Sequence, residues 1–188
     1  MNADDKFCMV INTDYGEVGF VWSEQKKRIL VKQILLPRDG VEMYDLIAQA
    51  WPDYKSVQGK TIPDIVYKIE AFLKGERISF KLEDLGHIGM ARSFKRDILT
   101  QTLNILPGMV ETYGGLASKA GYAGAARAVG TVMANNKFPL VIPCHRVIRS
   151  NGHIGLFGGG QDMKRRLLVM EGVTFDKAGR VASRYFYC

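Results

Sequence analysis

The hydrophobic pattern changes period near the middle of this chain, and that change limits the fold more than any other feature does. Before Leu85, short apolar runs read as strands over residues 7–13, 19–22 and 28–31, with Asp14, Gly16 and Ser23 as turn residues between them; residues 77–82 alternate like a further strand. Residues 41–50 and 63–73 have helical spacing, the second opened by Pro63 and closed by Gly75. Beyond Gly86 the chain turns mainly helical. Ser93 can cap a helix through Leu106 with an apolar stripe of Phe94, Ile98, Leu99, Thr102, Leu103 and Leu106, ended by Pro107-Gly108. Two short helices follow over residues 112–119 and 124–135, and another spans 163–170. The pattern predicts an α+β chain. Residues 1–88 form a domain with an antiparallel sheet and flanking helices, and residues 89–188 a mainly helical one, with the boundary between 84 and 92.

Charge divides at the same place. Residues 1–85 carry 12 Lys and Arg against 14 Asp and Glu, a net of −2, whereas residues 86–188 carry 14 against 5, a net of +9. The whole excess of +7 therefore lies in the helical half, as expected if that half touches a polyanion. A solubilising surface is the alternative that charge alone leaves open. Hydrophobic residues at 47% and charged residues at 24% exclude general disorder, and no apolar run is long enough to span a bilayer.

The acidic start, Met1-Asn2-Ala3-Asp4-Asp5-Lys6, is unlike a signal peptide. Cys8, Cys144 and Cys188 are odd in number and far apart, which predicts no disulfide scaffold and a reducing compartment. With Cys8 and His87 the only candidate ligands in the first half, no metal is expected.

Two constellations suggest chemistry. The helix pair joined through Gly121 is a helix-turn-helix candidate, and its second helix is built of Gly, Ala, Thr and Val around one long cation, Arg127. Small side chains allow close approach to another surface, and Arg127 can probe it; a tightly packed core helix is the alternative. Further on, an apolar run is broken by Pro143, and Cys144-His145-Arg146 follows. A thiol becomes a nucleophile where an imidazole or a cation favours its thiolate, and both stand beside Cys144. Five glycines among residues 152–160 lack the Lys-Ser/Thr end of a phosphate-binding loop and read as a wall around a flat ligand, with Phe157 available to stack. Glu171, after the last helix, could orient His145 as carboxylates do in nucleophile–base–orienter triads.

With Pro143-Cys144-His145-Arg146-Val147 in this context, the sequence resembles the DNA O6-alkylguanine alkyltransferases, also called methylated-DNA–protein-cysteine methyltransferases. The resemblance extends upstream through Asn136, Ala126-Arg127-Ala128-Val129-Gly130 and Thr112-Tyr113-Gly114. Downstream it takes in the glycine loop, Lys164, Leu167-Leu168 and Glu171, so that it covers residues 90–172. It implies that Cys144 accepts the alkyl group, that His145 takes the thiol proton through a water, that Glu171 orients His145, and that Asn136 is a hinge. It also implies substrate contacts from Tyr113, Phe157 and Lys164, from the carbonyls of Cys144 and Val147, and from the N–H of Gly158. Arg127 would enter the duplex from the minor groove in place of a flipped base, on a helix presenting Ala125, Ala126 and Gly130 to DNA.

The reaction implied is single-turnover repair of O6-alkylguanine, with O4-alkylthymine as a further candidate substrate. No cofactor or metal takes part. The partner is double-stranded DNA, the chain a monomer with no membrane contact, and the compartment the cytoplasm, with the nucleoid or a nucleus according to host. Phe157 stands where many relatives have Tyr, and Lys137 where many have Pro, a change expected to loosen the hinge. Three other readings compete. A non-catalytic lesion binder is opposed by Cys144, a helix-turn-helix regulator leaves the cysteine and glycine loop unused, and a cysteine hydrolase would turn over many times.

Overall fold

The computed structural model describes residues 5–25, 28–57, 61–85 and 93–187. The chain forms two compact units, residues 1–89 with 137–141, and residues 90–136 with 142–188. The short return of 137–141 to the first unit has no counterpart in the sequence pattern. His87 and Cys188 lie outside the described residues, as does most of the expected boundary at 84–92.

In the first unit, β1 (Lys6–Thr13), β2 (Gly16–Gln25), β3 (Arg28–Leu35) and β4 (Tyr54–Ser56) form one sheet in the order β3-β2-β1-β4, antiparallel except for the parallel pair β1–β4. The β1–β2 turn follows from local chemistry. Thr13 Oγ1 accepts from the Tyr15 N–H at 3.1 Å and donates to the Gly16 carbonyl at 2.7 Å, while Gly16 takes φ +99°, which side chains with a β-carbon avoid. Ser23 is no turn residue: β2 runs through it, buried, because the register shift at Val21/Trp22 lets the strand continue to Gln25.

Helices α1 (Met43–Ala50) and α2 (Asp64–Leu73) match the expected spacing. Met43, Leu46 and Ile47 of α1 pack on Cys8, Val21 and Leu35. Gly19 permits that approach, since a β-carbon there would stand 2.8 Å from the Met43 sulfur. Residues 77–81 are not a strand. Ile78, Phe80 and Leu82 do alternate inward, but Asp84 Oδ2 accepts from the Lys81 N–H at 2.8 Å and draws the chain into a 3₁₀ turn over Leu82–Leu85.

The second unit opens with α3 (Phe94–Leu103), capped by Ser93 Oγ accepting from the Arg96 N–H. It stops three residues earlier than expected, and the turn at Asn104 buries Ile105 while leaving Leu106 exposed. Then come β5 (Glu111–Thr112), α4 (Tyr113–Lys119), α5 (Ala126–Ala134), β6 (Val147–Ile148) and α6 (Gly160–Met170), with β5 and β6 paired in parallel. No helix among the described residues is long and apolar enough to cross a membrane.

Candidate active site

Cys144 is placed by its neighbours in sequence. Pro143, at φ −79° and ψ 63°, centres an inverse γ-turn in which the Cys144 N–H donates to the Ile142 carbonyl at 2.7 Å. Proline suits that turn because its ring already fixes φ. Just before it, Leu140 takes φ +72°, a left-handed conformation whose cost of roughly 1 kcal/mol or more is offset by full burial of its side chain. A 3₁₀ turn, Cys144–Arg146, leads into β6.

Around the thiol the side chains converge from distant segments. Asn136 Nδ2 donates to Cys144 Sγ at 3.2 Å and to the Ile142 carbonyl at 3.0 Å, so one amide holds both the sulfur and the turn that presents it. Burial pushes the Cys144 thiol up, opposed by the Asn136 bond and the nearby Lys164 charge. His145 is fully buried and places Nε2 3.1 Å from Glu171 Oε1. Burial lowers its pKa, and Glu171 works against that. For Glu171 burial alone would raise the carboxyl, but His145 and Arg146 outweigh it and hold it at about 2.

Arg146 is the residue whose task sequence reasoning missed. It stands in the motif as a cation beside the thiol, yet its guanidinium turns to Glu171, with Nε at 3.1 and 3.0 Å from the two carboxylate oxygens and a terminal nitrogen 2.6 Å from Oε1. Its other terminal nitrogen donates to the Ile105 carbonyl at 2.6 Å. Gly108, read only as a helix stop, donates its N–H to Glu171 Oε2 at 3.3 Å, and a β-carbon there would meet the Glu171 carbonyl at 2.9 Å. The signal for Arg146 was its place two residues after the cysteine; none pointed to Gly108.

Lys164, on α6, is wholly buried and donates to the Val147 carbonyl at 2.7 Å. Burial brings its pKa down to about 8, with Cys144 pulling the other way. Tyr113 opens α4, whose cap is Thr112 Oγ1 accepting from the Gly115 N–H at 2.8 Å. Burial, reinforced by Cys144, raises the Tyr113 phenol. Its hydroxyl lies against Gly155, where a β-carbon would come within 2.6 Å, so the glycine loop leaves room for this ring. Phe157 meets the His145 ring edge-on with centroids 6.3 Å apart, and Gly158 is exposed in the turn before α6.

The structure thus gathers Cys144, His145, Glu171, Asn136, Lys164, Val147, Tyr113 and Phe157 into one cluster. The α5 residues are displayed elsewhere, on the surface. Arg127 is the second residue of that helix and exposed, Ala125 is its N-cap without a side-chain hydrogen bond, Ala126 is its first residue, and a β-carbon at Gly130 would meet nothing within 4 Å. Lys137, next to Asn136, has its carbonyl accepting from the Ile34 N–H at 2.8 Å and its ammonium 5.5 Å from the Trp51 ring centre. Among the described residues no group of three His, Cys, Asp or Glu side chains could hold a metal.

A methylated-DNA–protein-cysteine methyltransferase of Methanothermobacter thermautotrophicus is 35% identical over 160 residues, covering 85% of this chain and 82% of that protein. The chain belongs to this family. The profile of the 6-O-methylguanine DNA methyltransferase, DNA binding domain, matches residues 93–173, which include every member of the cluster. A Cricetulus griseus relative of the same name is 51% identical over 83 residues, but this match spans 43% of the present chain and only 40% of the hamster protein. Among solved structures, Mycobacterium tuberculosis OGT in complex with DNA superposes with a TM-score of 0.70 at 24% identity, over 88% of this chain and 93% of that one. The methyltransferase of Pyrococcus kodakaraensis gives 0.64 at 24% identity, over 89% and 99%. These two likenesses establish the α+β fold of the family.

Proposed function

We propose that this protein repairs DNA by moving the alkyl group of O6-alkylguanine onto Cys144, once per molecule. The observation that carries this reading is the Cys144–Asn136 contact beside a buried His145–Glu171–Arg146 network, in a chain of this family. In the resting protein the raised thiol is protonated, so attack requires that its proton leave. His145 has Nε2 committed to Glu171, and proton traffic with the thiol would run through Nδ1 by way of a water. Glu171, pinned by Arg146, stays an anion and steadies the imidazolium without taking its proton.

The thiolate then forms an S–C bond in line with the breaking C–O bond, whose electron pair remains on O6. The proton removed from the thiol is returned to the guanine. The product is a thioether with no carbon that water attacks readily, which ends the protein's activity. Tyr113, the Val147 and Cys144 carbonyls, the Gly158 N–H, Phe157 and Lys164 would hold the base. The Val147 carbonyl already accepts from Lys164, and its second lone pair serves the guanine amine.

A base inside a duplex cannot reach a buried thiol, so it must be flipped. Arg127 suits the space it vacates, because it is exposed on a helix of small residues, and the uncapped N–H groups after Ala125 can meet a phosphate. We assign the α4–α5 pair to a helix-turn-helix, residues 89–188 to DNA binding and alkyl transfer, and residues 1–88 to support. The protein acts as a monomer on double-stranded DNA in the cytoplasm, at the nucleoid or, in a eukaryotic host, in the nucleus, and O4-alkylthymine is a secondary substrate.

Incubation with duplex DNA containing O6-methylguanine tests the reading. One methyl mass should appear on the peptide carrying Cys144 and stop at one equivalent. An unchanged intact mass after prolonged incubation would sink it, and many product molecules per protein would favour a hydrolase.

A further inference from the structure

The family profile ends at residue 173, yet the fold continues through Tyr187. Residues 174–187 double back across the second unit as a strap. Phe175 and Val181 form an antiparallel bridge, and Asp176 turns the chain between them, its Oδ1 accepting from the N–H groups of Ala178 at 2.8 Å and Arg180 at 2.9 Å. The Val181 N–H donates to the Gly152 carbonyl at 2.9 Å, and Arg180 bridges to His153, which ties the strap to the start of the glycine loop. Farther along, the Val110 N–H donates to Tyr185 and the Tyr187 N–H to Val110, each at 2.7 Å, just ahead of β5. Phe175, Val181, Tyr185 and Phe186 pack on Val110, Ile148, Leu168 and Val173, so the strap is part of a core.

The strap and the segments it packs on are strongly basic at their exposed positions. Over residues 142–187 six exposed cations, Arg149, Arg165, Arg166, Lys177, Arg180 and Arg184, stand against two exposed carboxylates, Asp162 and Asp176. Asp176 is already engaged by Arg180, at 2.9 Å. Arg165 stacks 4.0 Å from the Phe175 ring centre, and Arg184 lies 4.8 Å from that of Tyr185 while donating to Thr174 Oγ1 at 3.1 Å. Such contacts limit where these guanidinium groups point and reduce the entropy lost when they meet a phosphate. Arg149 connects the strap to the reactive cluster: its N–H donates to the His153 carbonyl at 3.0 Å, and its charge acts on both Tyr113 and Lys164.

We propose that the strap is a second, sequence-independent contact for the phosphate backbone, gripping the duplex beside the glycine loop through cations other than those of the α4–α5 pair. The proposal rests on the DNA-repair reading above. Duplex DNA carries a charge for about every 1.7 Å of its axis, so a duplex that delivers a base past residues 152–160 brings several phosphates near neighbouring cations. Solubility alone requires no such excess of cations over carboxylates in the strap and the segments it packs on. The strap would strengthen binding and leave the chemistry at Cys144 unchanged.

The test compares the full-length protein with a Lys177→Gln/Arg180→Gln/Arg184→Gln variant. Duplex affinity is measured across a range of salt, and the reaction with free O6-benzylguanine is timed in parallel. Each lost phosphate contact removes about 0.9 from the slope of log affinity against log salt, so the variant should be shallower by about 2 to 3 and bind roughly tenfold or more weakly at low salt. Its reaction with the free base should be unchanged. An unaltered slope with intact free-base reaction overturns the strap as a DNA contact while the alkyl-transfer reading stands. If the triple variant loses the free-base reaction, the single variants Lys177→Gln and Arg184→Gln decide, and no slope change in either overturns the proposal. A parent protein that reacts with neither substrate removes the functional reading and the strap's role with it.

Discussion

At the scale of single residues, the site depends on one carboxylate that stays ionised far below the usual carboxylate range. Glu171 receives Arg146 through three short contacts, His145 through one and the Gly108 N–H through another, all out of water. Its pKa of about 2 lies below the ordinary 4.5, so the unfolded chain takes up the proton first as pH falls. The stability that Glu171 contributes is therefore complete above about pH 4.5 and disappears as pH drops toward 2. Glu171→Gln should cost about 3 to 5 kcal/mol at neutral pH, because Arg146 is left buried without its counter-charge. Its acid unfolding, followed by circular dichroism, should be flatter across that window than the parent's. Equal slopes would mean that the carboxylate is not the group being titrated. Lys164 shows the opposite bias: burial holds its pKa at about 8, so the cation beside Cys144 is lost as pH rises through that value.

At the scale of elements, α5 buries Val129, Val132 and Met133 and turns outward a face on which Ala126, Ala128 and Gly130 leave little bulk beside Arg127 and Thr131. Replacement of that arginine by alanine should slow repair of duplex roughly a hundredfold, the worth of a few kcal/mol of unstacking, and leave reaction with free O6-benzylguanine within about twofold. Comparable losses on both substrates would remove Arg127 from base flipping. The helices were legible in the sequence because local chemistry ends them: Ser93 accepts the predicted capping bond, Thr112 accepts another from the Gly115 N–H, and Gly75 and Gly121 take positive φ where helices stop. The strands β4, β5 and β6 were not, because two or three residues carry no measurable alternation and owe their pairing to partners elsewhere. Residues 77–82 show the reverse failure, an alternation without a ladder to join. Cys144 and His145 could be read from the motif, and Asn136 from the family resemblance. The Arg146–Glu171 pairing could not, since the motif sets Arg146 beside the thiol and only the fold turns its guanidinium to Glu171.

At the scale of the whole molecule, the halves differ by 11 units of net charge, from −2 to +9. Binding to any duplex should therefore weaken steeply with salt, through the second half alone. The division of labour along the sequence is nevertheless imperfect, because residues 137–141 belong with the first unit although both their neighbours belong to the second. Leu140 and Val141 are almost wholly buried there, and the Lys137 carbonyl meets β3. The chain thus crosses between the units twice just ahead of the reactive cysteine, once after Asn136 and once before Ile142. A fragment cut at residue 93 would keep the entire family profile yet leave that loop with nothing to fold upon. Such a fragment should be less soluble and react more slowly with O6-benzylguanine than the intact chain, as light scattering and mass spectrometry would register. Full reactivity in a soluble fragment would show that the loop can dispense with its sheet. For a gene under selection, the crossing makes the two halves one inheritance: neither can be exchanged by a single recombination at the sequence boundary without unseating the residues that present the thiol.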